Sequence, residues 1–286
     1  MAVATKELVQ VQAQKKRRFD VGQMVAHALL ILLVIIDIVP MIWVALASFK
    51  TLPDLTTNPW LPNPWTLDNY SEIITRANFA LAFLNSVVVA AVRVAFALVT
   101  SAALGFVFSK YHFPGRDALF AILLSTMMVP FVVKLLPLYV TLSELKLVNH
   151  VEALVAIAMF STIGTFILRQ SINDIPNELL DAARIDGAGE GWIFTRLIVP
   201  LSKSALSALA VFTFLFAWDD YMFPSILLTK PAVKTLPLVL AGLRSIFWSR
   251  YELFAAGAML TVVPVMVLYS SMQKQFVRGI AMTGMK

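Results

Sequence analysis

The chain contains no cysteine, which excludes disulfides, thiolate metal sites and a cysteine nucleophile. Its three histidines, His27, His112 and His150, are widely separated and make no cluster with metal-ligand spacing. Charge is scarce as well. Only 14% of the 286 residues are Asp, Glu, Lys or Arg, against about 25% in an ordinary soluble domain. The net charge of +6 is not gathered into a basic stripe, so nucleic acid is not an expected partner. No Gly-x-x-x-x-Gly-Lys phosphate loop occurs, and no cofactor is expected on this chain. An embedded enzyme would need a nucleophile with a base, or a metal cluster, in one pocket. The sequence offers neither, so no catalytic and no metal residues are assigned.

What is there is apolar. Hydrophobic residues make up 59% of the chain, and the mean hydropathy is +0.80. A membrane protein fits this balance. The apolar run from about 24 to 47 follows Lys15-Lys16-Arg17-Arg18 and ends at Ala45-Leu46-Ala47, which imitates a secretory signal. It is far longer than a signal core of about 7–15 residues, so it reads as an uncleaved first span. Five further segments approach the roughly 20 residues a crossing helix needs: 80–108, 118–142, 151–168, 204–223 and 253–273. They run continuously rather than alternating, so helices are expected. The fold class is therefore all-α: a polytopic membrane protein with six transmembrane helices, a segment 1–22 before them, and one transmembrane domain over 23–286.

Lysine and arginine concentrate in cytoplasmic loops. With a cytoplasmic amino terminus, 14 of them fall on the cytoplasmic side and 7 on the other, with Arg93 and Lys134 inside spans. Both termini and the loop 169–203 are then cytoplasmic. The outer connections are 49–79 and 224–252. The first carries PDLTTNPWLPNPWTLDNY, an ordered, turn-rich loop whose Trp60 and Trp65 suit either anchoring at the membrane interface or contact with a partner.

Three charges inside spans, Asp37, Arg93 and Lys134, are costly in a bilayer. They suit a translocation path, and equally structural pairing or snorkelling. Pro130 and Pro137 are expected to bend the third span. Asp219 and Asp220 stand at the outer end of the fifth, where helix-end solvation or contact with a partner chain is the expectation.

The loop before span five holds LLDAARIDGAGEGWIFTRLIVP, residues 179–200, a polar stretch in an apolar chain. Asn173 or Asp174 suits a helix cap and Pro176 a first turn, so a short helix from about 176 to 185 is expected. Leu179, Ala182 and Ala183 would share its small apolar face, with Glu178, Asp181 and Arg184 on another. Gly187, Gly189 and Gly191 would end the helix and turn the chain. A second short helix, Trp192 to Leu197, would then lead to Pro200. From the residues alone, this is either a rigid knob below the membrane or an ordinary charged loop.

Its spacing resembles the cytoplasmic signature of permease subunits in binding-protein-dependent ABC importers: Glu-Ala-Ala, three residues, Gly, nine residues, then Ile-x-Leu-Pro. Here it stands as Asp181-Ala182-Ala183, Gly187, and Leu197 with Val199-Pro200; aspartate, leucine and valine replace glutamate, isoleucine and leucine. SFKTLPD (48–54), DNY (68–70), Asn85-Ser86, FPGRD (113–117), Met-Val-Pro (128–130), IPNELLDAARIDGA (175–188) and QKQFVRGI (273–280) resemble the carbohydrate-importing branch. Asp219 departs from the asparagine often found there.

The resemblance implies a coupling helix that docks on a cytoplasmic ATPase through Glu178, Asp181, Ala182, Ala183, Arg184, Asp186, Gly187, Leu197 and Pro200. It implies a second permease as heterodimer partner, two copies of the ATPase carrying ATP and Mg, and an extracytoplasmic sugar-binding protein. The setting would be a bacterial or archaeal cytoplasmic membrane. The cargo would be a mono- or oligosaccharide or a polyol phosphate, moved by alternating access. The competing reading is a stand-alone ion-coupled transporter or channel using Asp37, Arg93 and Lys134.

Overall fold

The computed structural model describes residues 21–76, 78–246 and 250–283; the side chains of Val21, Arg76, 244–246 and 272–283 are not described. Segment 1–22, with the Lys15–Arg18 cations, thus falls outside the described residues except for its last two. The QKQFVRGI stretch (273–280) is described as backbone only. Among the described residues there is no strand. A long apolar segment in lipid must satisfy its own backbone, which a helix does and an isolated strand does not.

Among the described residues three helices are long and apolar enough to cross a membrane unaided: α1 (Val21–Ala47), α4 (Phe79–Lys110) and α14 (Tyr251–Thr283). Between α1 and α4 lie two short helices, α2 (Leu52–Thr57) and α3 (Asp68–Arg76). The centre of the molecule is α4, whose 32 residues span about 48 Å at 1.5 Å per residue. Its residues enter all three buried clusters, through Phe106, through Phe79 and Ala90, and through Val89.

Three of the six expected spans are not single straight helices, the bend in the third being the one expected from its prolines. The third crossing is a bent pair, Arg116–Met128 and α6 (Phe131–Glu144), turned by 100°; its first arm contains α5 (Arg116–Ser125). The bend falls at Val129-Pro130, while Pro137 sits inside α6. This pair begins beside Arg169, which reaches Asp117 at 3.3 Å. It ends where Leu142 packs with Val89.

The fourth expected span, 151–168, is two helices, α7 (Glu152–Ala156) and α8 (Thr162–Asn173), separated by an irregular stretch, 157–161. It still follows α4, and in the same direction. Arg93 meets Leu154, Thr100 meets Met159, Ser101 meets Ser161, and Arg169 donates to the Phe108 carbonyl at 3.2 Å. Small residues on α4 allow the approach. Ala97 and Ser101 are fully buried, and a Cβ at Gly105 would lie 2.8 Å from Leu168 Cβ. Residues spaced by four with little side chain let helix backbones close up without a hydrophobic driving force.

The fifth crossing, α11 (Lys203–Trp218), follows a 76° bend from α10 (Glu190–Leu201) and ends five residues before the expected 223. Asp219 is its cap and Asp220 lies beyond it. Next come α12 (Met222–Leu227) and α13 (Leu236–Ile246), before α14 returns to the end where α4 finished. Most side chains of α1 are exposed, in keeping with a helix whose surroundings are apolar.

Candidate coupling surface and buried ion pair

At the end of the bundle where α4 stops, α9 (Asn177–Ile185) and α10 form a knob. The expected cap is corrected: Asn173 ends α8, Asp174 follows it, and Pro176 is the residue before α9, with no side-chain cap. The far end of α9 closes as expected. Gly187, at φ +85°, donates to the Arg184 carbonyl at 3.0 Å, and Ala188 donates to Ala183 at 2.9 Å. That pair of bonds is a Schellman closure, for which a glycine at the left-handed position is the least strained choice. A Cβ at Gly187, Gly189 or Gly191 would meet nothing within 4 Å, so any close approach there is to another molecule.

The expected shared face of Leu179, Ala182 and Ala183 is divided between surface and core. Leu180 is buried and Ala183 packs beside it on Ile193 and Ile198, in a cluster shared with Phe106 of α4, Leu168 of α8 and Leu209 of α11. Leu179 and Ala182 face outward with Glu178, Asp181 and Asp186. Ile185, three residues beyond Ala182, is 86% exposed. The i, i+3 series from Leu179 contains it, which is the sequence signal for its exposure. In α10, residues 193–198 take a π-helical path. Its i to i+5 ladder stacks residues five apart, which places Ile193 and Ile198 together in the core. Leu197 is half-buried on this cluster, and Pro200 is exposed at the bend.

A polar network fixes the knob to the bundle. Arg184 donates to Asp181 at 3.0 Å and to Glu190 at 2.9 Å, tying α9 to α10. The Tyr111 hydroxyl, just past α4, donates to the other Glu190 oxygen. Lys110 donates to the Ile175 carbonyl and, at 2.9 Å, to Asn177 Oδ1. Arg184 and Tyr111 hold the Glu190 carboxyl below its ordinary range, and Glu190 in turn raises Arg184. Burial first, then Glu190, pushes the Tyr111 phenol up. Glu190 and Tyr111 are distant in sequence, and no spacing signal pairs them.

The three in-span charges do not converge. Asp37 is exposed among the apolar side chains of α1, and Lys134 is exposed on α6. Arg93 is inside. Its Nη1 lies 2.9 Å from Asp220 Oδ2, with the two side chains 6% and 12% exposed. Its Nε donates to the Leu154 carbonyl at 2.6 Å. That carbonyl is orphaned by the helix break, because Ala158, its α-helical partner, donates to Val155 instead. Asp220 Oδ1 also accepts from the Phe223 amide at 3.3 Å. Asp219 stays exposed. Beside the pair is a cavity of about 470 Å3, lined by Arg93, Phe160, Ser161, Phe212, Thr213 and Phe216 among others; neither Asp37 nor Lys134 reaches it. Among the described residues no three His, Asp or Glu side chains come together as a metal site.

Residues 97–282 match the family of binding-protein-dependent transport system inner membrane components. An arabinooligosaccharides transport system permease protein of Halalkalibacterium halodurans is 34% identical, over 88% of this chain and 92% of that protein. An sn-glycerol-3-phosphate transport system permease protein of Salmonella typhi is 31% identical, over 89% and 94%. In fold, the chain is similar to a chain of a bacterial ABC transporter involved in the import of the polysaccharide alginate. The TM-score is 0.81 at 19% identity, covering 92% of this chain and 98% of that one.

Proposed function

Because the chain belongs to the family of binding-protein-dependent transport system inner membrane components, we propose that it is the membrane-spanning permease of a carbohydrate importer driven by ATP hydrolysis on a separate subunit. The observation that carries the coupling half of this reading is the knob. A short helix with its own core and a three-way ionic brace turns Leu179, Ala182 and Ile185 outward. An exposed apolar face on a rigid, otherwise polar element is what a docking protein covers. Glu178, Asp181 and Asp186 rim that face, and Gly187 keeps the turn behind it low.

In this account ATP and Mg sit on a cytoplasmic ATPase, present in two copies, and the knob is the cytoplasmic end of the chain, as are both termini. A second permease completes the pore, and an extracytoplasmic binding protein delivers the cargo. The named relatives favour an oligosaccharide, with a polyol phosphate next. Closure of the ATPase pair would push on α9. The push passes through Leu180, Ile193 and Ile198 into α4, α8 and α11, a rigid-body transmission between packed elements. Arg93 and the cavity beside it belong to the wall of the path. Asp37 and Lys134 do not line that cavity, which favours the ATP-driven reading over the charge relay of a stand-alone ion-coupled transporter.

Tagged purification from the native membrane in mild detergent, with mass spectrometry of what accompanies the chain, tests this. An ATPase and a second multi-span protein are expected. A chain that purifies alone and supports gradient-driven uptake in vesicles without ATP would contradict it.

A further inference from the structure

At the end of the bundle opposite the knob, the loop from Lys50 to Leu67 is inside out. Its two ionisable residues face inward, Lys50 at 1% and Asp54 at 3% exposure. Four of its large apolar residues face outward: Trp60, Leu61, Trp65 and Leu67 are each more than half exposed. The interior is a set polar core. Lys50 donates to the Asn58 carbonyl, and Asp54 accepts from the Asn58 side chain and, at 2.9 Å, from the Asn63 amide. Asn69 donates to the Ser48 and Lys50 carbonyls at 2.9 and 2.8 Å. The Asn58 and Asn63 bonds hold the Asp54 carboxyl below its usual range, and Lys50 adds to this. The Phe49 ring props the exterior, its centroid 5.6 Å from that of Trp65. A loop that buries its charges and shows its tryptophans is made for an apolar neighbour.

One bond fixes the level of this surface. Trp43 Nε1 donates to the Pro59 carbonyl at 3.1 Å. Trp43 is exposed on α1, four residues before the end of that crossing helix, about 6 Å along the axis at 1.5 Å per residue. Trp60 therefore continues the lipid-facing surface of α1 at the depth where its apolar run stops. Tryptophan is enriched at that depth because its ring is apolar and its N–H is polar.

We propose that residues 59–67 lie in the lipid interface at this end, with Trp60, Leu61 and Trp65 inserted at headgroup level. The occupant of the patch is lipid, because the apolar surface is continuous with that of a membrane-spanning helix and residues 59–67 carry no charge of their own, the exposed Asp68 standing at the margin. The loop is a hook that sets the depth of α1, and the inference stands independently of the knob.

The absence of cysteine makes the test direct. Leu61→Cys and Trp65→Cys, each carrying a nitroxide, are placed in the complete transporter in phosphatidylglycerol–phosphatidylcholine vesicles. His150→Cys, on an exposed turn at the same end, reports water. Collision with a water-soluble nickel chelate should be several-fold lower at 61 and 65 than at 150, and collision with oxygen several-fold higher. Adding the soluble extracytoplasmic protein should leave both unchanged. Nickel accessibility equal to that at 150, or protection appearing only when that protein is added, overturns the proposal; the second outcome would assign the patch to a protein.

Discussion

Replacing Arg93 with leucine leaves the Asp220 carboxylate among apolar helices with no cation and leaves the Leu154 carbonyl without a donor. The pair is separated by 2.9 Å and is almost wholly shielded from water. Its gross attraction is offset by the cost of desolvating both ions, so its net worth is modest, but an ion stranded by loss of its partner is a different matter. Removing one member of a buried pair costs about 3–5 kcal/mol, and the lost bond to Leu154 adds about 1–2 kcal/mol. Asp220→Leu should cost less than Arg93→Leu, because Arg93 keeps the Leu154 carbonyl. The double replacement should cost less than the sum of the singles, by about 1–3 kcal/mol. Denaturation of the purified chain in mixed micelles, followed by helicity, measures all three. Additive losses would refute the pairing; an unchanged Arg93→Leu would refute the burial as well.

Gly105→Val would put a Cβ 2.8 Å from Leu168 Cβ and 3.0 Å from backbone atoms, so α4 and α8 must separate. A loss of about 1–3 kcal/mol or more is expected, read as a lower unfolding midpoint, while Gly187→Ala, in open space at positive φ, should lose only about 1–2 kcal/mol. The Glu190 brace should be sensitive to acid. Its carboxyl is held below the ordinary value of 4.5, so its stabilisation is present above that pH and fades as pH falls through the lowered pKa. Because Glu190 is about half exposed, the effect is under about 1 kcal/mol. The stability difference between the wild type and Glu190→Gln should shrink below about pH 4.5; a constant difference would contradict the brace.

Much of this architecture is legible in the residues. Continuous apolar runs locate the crossings, and Gly187 announces the turn that its φ of +85° requires. Pro130 marks the bend in the third crossing. The break in the fourth crossing is not legible, because VEALVAIAMFSTIGTFIL reads as one apolar run. What interrupts it is tertiary: Arg93 and Thr100 of α4 supply donors to the Leu154 and Met159 carbonyls, which an unbroken helix would satisfy itself. Within the candidate site the small residues and the open face of Leu179 and Ala182 are legible, while the inward turn of Ala183 is not and the exposure of Ile185 is marked only by its spacing from Leu179. Ala183 faces the core and Ile185 the outside, because the burial of α9 is set by Leu180 against Ile193 and Ile198, residues contributed by α10. The partners of Glu190 and Arg93 are likewise remote in sequence, and pairing across such distances follows from packing rather than spacing.

The coupling claim is tested most directly at Ala182, which is exposed and lies within a helix. The assembled transporter carrying Ala182→Arg, in vesicles with its binding protein and cargo, is assayed for ATP hydrolysis and uptake together. Arginine is a good helix former, so insertion and helicity should match the wild type while ATP-driven uptake falls at least tenfold and the ATPase co-purifies weakly. Uptake at the wild-type rate with the ATPase still bound would mean that this face of the knob does not dock.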